Sequence, residues 1–389
     1  MIGAGVFVVF SPAAAAAGSG LLLGLAVAAF VAYCNATSSA RLAARYPQSG
    51  GTYVYGRERL GEFWGYLAGW SFVVGKTASC AAMALTVGLY LWPAHAHTVA
   101  VGAVAALTAV NYRGVQKSAR LTRALVVITL AVLTGVVAVL AGAWIGGQDG
   151  GQLSRLSPAG SHLSGVLQAA ALLFFACAGD ARIATLGEEV RDPARTIPRA
   201  IPAALGIALV VYVAVAISLL ATLGADELAR ATAPLAQAVG AVGASGFEPV
   251  VRAAAAAAAL GSLLSLILGV SRTALAMARD GHLPPALAMV HPRFGVPHRA
   301  ELAVGAVVAT LAAVADVRGA IGFSSFAVLL YYAIANASAL TLRGTRRAVP
   351  GLGLAGCLLL AAYVPGASLA AGAAVAAAGA VWFAFTHSR

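Results

Sequence analysis

Twelve long runs almost devoid of charged residues follow one another along the chain, and no other feature restricts its fold so strongly. They cover approximately residues 1–16, 20–40, 62–92, 97–111, 122–146, 163–189, 200–223, 247–278, 300–316, 320–342, 351–364 and 367–386. A bilayer-spanning helix needs about 20 predominantly apolar residues, and hydrocarbon tolerates only backbones that satisfy their own polar groups. The runs therefore predict an all-α polytopic membrane protein. Runs 1–16, 97–111 and 351–364 are shorter than a full crossing. No hydrophilic stretch is long enough for a soluble domain, so residues 1–389 read as a single membrane domain. Composition removes the alternatives: 61% of residues are apolar, 10% are charged, and the mean hydropathy is +0.88. A soluble globular chain carries about 25% charged residues. A disordered chain needs low hydrophobicity and high charge.

The net charge is +12. On a soluble chain that excess would suggest nucleic acid. Here the basic residues sit in short loops between apolar runs, where they act as topology signals. If the first run ends outside and the chain alternates, the inside loops and the C-terminus hold eighteen Lys and Arg, and the outside holds four, Arg155, Arg230, Arg252 and Arg318. This bias puts the loop 41–61 and the C-terminus in the cytoplasm of a cell-membrane protein. Tyr90, Trp92 and Trp144 then fall at the outer interface, where aromatic residues collect. Cys34, Cys80, Cys177 and Cys357 lie in apolar runs without metal-ligand spacing and read as small core residues.

Two runs are interrupted in the same way. The first contains Gly3-Ala4-Gly5 and the sixth Cys177-Ala178-Gly179-Asp180. A helix that unwinds inside a membrane exposes amide N–H and C=O groups, which is tolerated only where they line a cavity or meet a ligand. Freed N–H groups suit a carboxylate and freed carbonyls suit an ammonium group. Paired interruptions at corresponding places in two halves point to a transporter site. The alternative is close helix packing through small residues.

Further stretches carry a resemblance to a known family. They are Met1-Ile-Gly-Ala-Gly-Val-Phe7, Tyr46-Pro-Gln-Ser-Gly-Gly-Thr-Tyr53, Asn111-Tyr-Arg-Gly-Val115 with Lys117-Ser-Ala119, and Phe174-Phe-Ala through Glu188-Glu-Val-Arg-Asp-Pro-Ala-Arg-Thr-Ile-Pro198. Ser271-Arg272, Ala278-Arg-Asp-Gly-His-Leu-Pro284 and Val290-His-Pro-Arg-Phe294 complete the set. In this order they resemble an amino acid–polyamine–organocation (APC) permease. The resemblance implies a LeuT-type fold of two inverted five-helix repeats with two additional C-terminal helices. The repeats would be 1–146 and 162–342, and the extra helices 343–389. It implies a secondary transporter of an amino acid or related amine working by alternating access. The main chain of Ile2, Gly3, Ala4 and Gly5 would hold the substrate carboxylate. Carbonyls of Phe175, Ala176 and Ala178 would hold its amino group, with Gly179 allowing the unwinding. Three departures stand out. The family continues upstream of Met1, so the first helix reads as truncated. The residue after Gly179, usually aromatic, is Asp180. The lysine that replaces sodium in many relatives aligns with Thr129.

Lys76 sits in the middle of the third run. A charge at mid-membrane costs roughly 2.5–3.5 kcal/mol on insertion scales, so Lys76 is expected to face the bundle interior with a partner. Asp180 is the expected partner, and Asp180 also suits cationic amines. Glu188 and Glu189 read as gate or loop-anchoring carboxylates, and Ser262, Ser265 and Thr129 as coupling candidates or ordinary helix–helix hydrogen-bonding groups. His95 and His97 do not form a metal site. Neither HExxH nor GxSxG occurs, and adjacent acids diverge on a helix, so an embedded enzyme is not expected. The expected cofactor set is empty, with a proton as candidate coupling ion and sodium still open. The partners are a small amino acid or amine and the lipid bilayer, not nucleic acid, and the oligomeric state has no sequence signature. The competing functional class is a non-transporting truncated relative acting as a sensor or partner subunit.

Overall fold

The computed structural model describes residues 2–46, 50–114, 119–145, 153–158, 161–179, 192–342 and 347–387. Among them, every regular element is helical. The first run forms α1 (Gly5–Val8) and α2 (Phe10–Ala17), and the second α3 (Leu21–Arg45). A short helix, α4 (Thr52–Leu60), precedes α5 (Glu62–Leu91), α6 (Ala96–Tyr112) and α7 (Ala119–Ile145). The later helices are α8 (Leu163–Cys177), α9 (Pro193–Arg230), α10 (Pro234–Ala241) and α11 (Glu248–Arg279). The last are α12 (His298–Val314), α13 (Val317–Leu340), α14 (Ala348–Ala362) and α15 (Gly366–His387). Each of the twelve apolar runs falls on a helix, and the protein is an all-α polytopic membrane protein. Eight helical segments of the described residues are long and apolar enough to cross a bilayer. One of these, Phe10–Arg45, takes in part of the first run and all of the second, and Gly18 turns the chain with φ 57° between α2 and α3. Only glycine takes that backbone angle without strain. Gly224, at φ 74° inside α9, likewise kinks the helix just after the seventh run.

α4 and α10 lie outside the twelve runs. Both are too short to stand out by hydropathy, α4 also ending in Arg57-Glu58-Arg59, and both gain their stability from packing. Tyr53 and Tyr55 bury α4 against the bundle, and Leu235, Ala236 and Val239 bury α10.

α5 and α13 form the most enclosed pair of helices. Small residues let their backbones meet: a Cβ on Gly75 would lie 2.8 Å from the Ala327 side chain. Without a hydrophobic drive between helices in lipid, such close van der Waals contact is what holds them. Gly24 serves the contact of α3 with α8, where a Cβ would lie 3.0 Å from that of Ala169. A buried polar cluster adds direction. Asn336 on α13 donates to Asn35 Oδ1 at 2.7 Å and accepts from Ser38 Oγ at 2.7 Å, both on α3. Four pairings recur at a spacing of five runs: α2 with α8, α3 with α9, α5 with α11 and α6 with α12. Cys34, Cys80, Cys177 and Cys357 are buried free thiols.

Candidate functional site

The helix of the first run begins only at Gly5, with Ala4 as its cap and Ile2 and Gly3 outside it. α8 stops at Cys177, and Ala178 turns away with φ −78° and ψ 30°. The two interruptions touch. A Cβ on Gly5 would lie 3.0 Å from both Cα and Cβ of Ala176, and one on Gly3 would lie 2.5 Å from Ser262 Oγ. Gly5 is therefore needed for close approach, while at Gly3 the neighbour is a hydroxyl that can turn.

Between the interruptions and helices α5, α7 and α11 lies a cavity of about 490 Å3. Ile2, Gly3, Ala4, Gly5, Phe175, Ala176, Ala178 and Gly179 line it, together with Lys76, Thr129, Ser262 and Ser265. Residues drawn from five separate stretches of sequence thus share one chamber. Asp180, Glu188 and Glu189 lie outside the described residues, so the expected pairing of Lys76 with Asp180 does too. Lys76 is buried, and its ammonium donates to the carbonyl oxygen of Ala178 at 3.0 Å. This contact meets the requirement that an intramembrane cation be engaged, and it fixes the unwound end of α8. The carbonyl of Ala176 also has a partner, the hydroxyl of Tyr212 at 3.0 Å. Tyr90 donates to the carbonyl of Phe7 at 2.7 Å, so both broken runs are pinned by side chains of neighbouring helices.

The hydroxyls of the cavity wall mostly bond along their own helices. Thr129 donates to the carbonyl of Leu125 and Ser265 to that of Gly261. Ser79 and Arg272 also line the chamber, and neither was among the predicted site residues. Ser79 was discoverable, because it lies three residues after Lys76 and shares its helical face. Arg272 was visible as a second basic residue inside an apolar run. What it faces depends on how α11 packs. A chamber of this volume, with paired backbone groups and a few polar side chains, suits a small polar molecule.

The end of the bundle that carries the basic loops is tied by a second polar cluster. Tyr53 on α4 donates to Asp280, beyond α11, and its hydroxyl lies 2.9 Å from Nδ1 of the buried His282. Arg57 Nη1 reaches Asp280 at 3.1 Å. The indole of Trp382 on α15 donates to the His282 carbonyl at 3.1 Å. Burial, and then the Asp280 carboxylate, push the Tyr53 phenol well above its ordinary range; Arg57 acts in the opposite direction and is outweighed. Tyr53 is thus a permanent donor that ties α4 to the loop after α11.

The amino acid permease family profile matches residues 1–387. The chain belongs to the amino acid permease family. An uncharacterized transporter of Mycobacterium tuberculosis is 68% identical to this permease over 383 residues, covering 97% of this chain and 86% of the relative. The branched-chain amino acid permease BcaP of Bacillus subtilis is 26% identical, covering 92% of this chain and 84% of the relative. The human cationic amino acid transporter 4 is 29% identical, covering 90% of this chain and 58% of the relative. The permease is a multi-pass membrane protein of the APC superfamily. The family is one of amino acid permeases, and the relatives named here are transporters.

Proposed function

We propose that the permease moves an amino acid or related amine across the cell membrane as a secondary transporter, by alternating access. One observation carries this reading: Ile2–Gly5 and Phe175–Gly179, two stretches of non-helical or helix-terminal backbone, line a single chamber of about 490 Å3. In the proposed pose the amides of the first stretch meet the substrate carboxylate and carbonyls of the second meet its amino group. Lys76 holds the second stretch through Ala178 and acts as a gate. Thr129, Ser262 and Ser265 are coupling candidates, and so is Glu188. The proposed coupling ion is a proton. The pairing of helices five runs apart supports two inverted repeats, 1–146 and 162–342, followed by two extra helices over 343–389. The excess of Lys and Arg at one end supports a cytoplasmic C-terminus.

The names of relatives, a branched-chain amino acid permease and a cationic amino acid transporter, set the first substrates to try. The test is reconstitution of the purified permease in proteoliposomes with labelled leucine, arginine and the other common amino acids. Saturable uptake of at least one is expected. Saturable binding without flux would favour a non-transporting sensor or partner subunit instead.

A further inference from the structure

Glu301 is the fourth residue of α12, and its side chain is 0% exposed. Neither carboxylate oxygen has a hydrogen-bond partner among the described residues. A buried carboxylate without donors is held far more readily as the neutral acid than as the ion. α12 packs against α11, the helix that carries Arg272. Arg272 lies on α11 and lines the chamber formed by the two interrupted runs. The helix packed on the acid's own helix therefore presents a cation to the place where the substrate would sit. Intramembrane ionisable groups are costly, and they are retained where they move ions or protons.

The other ionisable groups around α12 are few. α6 brings His97, whose Nδ1 lies 2.8 Å from the Ala312 carbonyl of α12, and Tyr112, whose ring packs on His298 as that of His291 also does. α11 brings Arg272 and Arg279, and the turn Pro285–Ala288 brings none. On α5, Lys76 is engaged by the carbonyl of Ala178. α12 itself carries His298 and Arg299 at its start.

We propose that Glu301 takes up and releases the coupled proton, and that Arg272 transmits its charge state to the chamber. This rests on the permease reading above. The step is the formation of one O–H bond on a carboxylate oxygen, with a proton from water, and its reversal after the chamber reopens. With Glu301 ionised, the guanidinium is drawn toward α12. With Glu301 protonated, the positive charge is directed into the chamber, where a substrate carboxylate can meet it. Protonation and substrate binding then favour one another, as linkage requires.

The direct probe is the proton itself. Infrared spectra of the purified protein in lipid, recorded from acid to alkaline pH in water and heavy water, should contain a neutral-carboxyl band that shifts on deuteration. That band should be missing from Glu301→Gln and displaced, not lost, in Glu301→Asp, which also serves if the glutamine variant does not fold. An identical band in wild type and both variants would overturn the proposal. This experiment needs no substrate, so its outcome is separate from any failure of the permease reading. In proteoliposomes, Glu301→Gln should keep exchange of labelled for unlabelled amino acid but lose accumulation driven by a pH gradient, by about ten-fold or more. Unchanged gradient-driven accumulation would also overturn it.

Discussion

The ammonium nitrogen of Lys76 lies 3.0 Å from the carbonyl oxygen of Ala178, joining the middle of the third run to the unwound end of the sixth. The contact explains two sequence oddities at once. A lysine in an apolar run needs an acceptor, and a helix that stops inside the bundle needs a donor. Each supplies what the other lacks.

Lys76→Met should therefore release the end of α8. Hydrogen bonds to charged groups contribute about 1.5–3 kcal/mol. At about 1.4 kcal/mol per factor of ten, the conformation this bond holds should lose about 10- to 100-fold in population. Initial rates of amino acid uptake in proteoliposomes should fall accordingly. A variant that transports like the wild type would remove Lys76 from the gate.

The two glycines of the first interruption should respond differently to alanine. At Gly5 the new methyl meets backbone and side-chain carbon of Ala176 at 3.0 Å, and neither can rotate away. Gly5→Ala should lower stability by about 1–3 kcal/mol, the usual range for overpacking. At Gly3 the obstacle is the Ser262 hydroxyl, at the end of a rotatable side chain. Gly3→Ala should unfold near the wild-type temperature in detergent while losing substrate affinity. Equal melting temperatures for the two variants would contradict this geometry.

Tyr53→Phe should loosen the basic end, removing the donor to Asp280 and the contact with His282. A net loss of about 1 kcal/mol is expected at neutral pH. The pH dependence has a definite sign. The phenol is raised in the folded state, so the protonated form contributes its full stability below the unfolded value, about 10. That contribution is lost as pH rises through and beyond that value. The difference in melting temperature between wild type and Tyr53→Phe should stay flat from neutral pH to about 9 and shrink in more alkaline buffer.

Asn336 is fully buried between α3, α13 and α14, with Asn35 and Ser38 as partners. Asn336→Ala removes the acceptor of Ser38 and leaves Asn35 Oδ1 with only the weaker thiol donor of Cys357. Polar contacts between membrane helices average about 0.6 kcal/mol and reach about 1.7. Asn336 serves two such contacts, so a loss near the upper figure is expected, read as a lower melting temperature with unchanged substrate specificity. A melting temperature equal to the wild type would show that the cluster contributes nothing net.

Much of this protein follows from local chemistry along the chain. Apolar runs of bilayer length produce helices because the backbone has no other way to satisfy itself in lipid, and among the described residues each of the twelve runs carries a helix. Gly3-Ala4-Gly5 and Ala178-Gly179 marked the helix ends because their small residues and φ freedom are local properties. Lys76 announced itself by its cost. Other features depend on which faces meet. α4 and α10 have too little apolar length to be recognised alone, and they form because Tyr55 and Leu235 find buried surroundings. Ala178 as the acceptor for Lys76 is set by the packing of α5 beside α8, across 102 residues of sequence. Arg272 reaches the chamber, and Glu301 is buried on the neighbouring helix, only because α11 and α12 pack as they do. The sequence alone determined the helices and where they break, since hydropathy and dihedral freedom act within a few residues. Tertiary structure decided which ionisable groups face one another, since that depends on helix rotation and depth, which the packing of small residues sets.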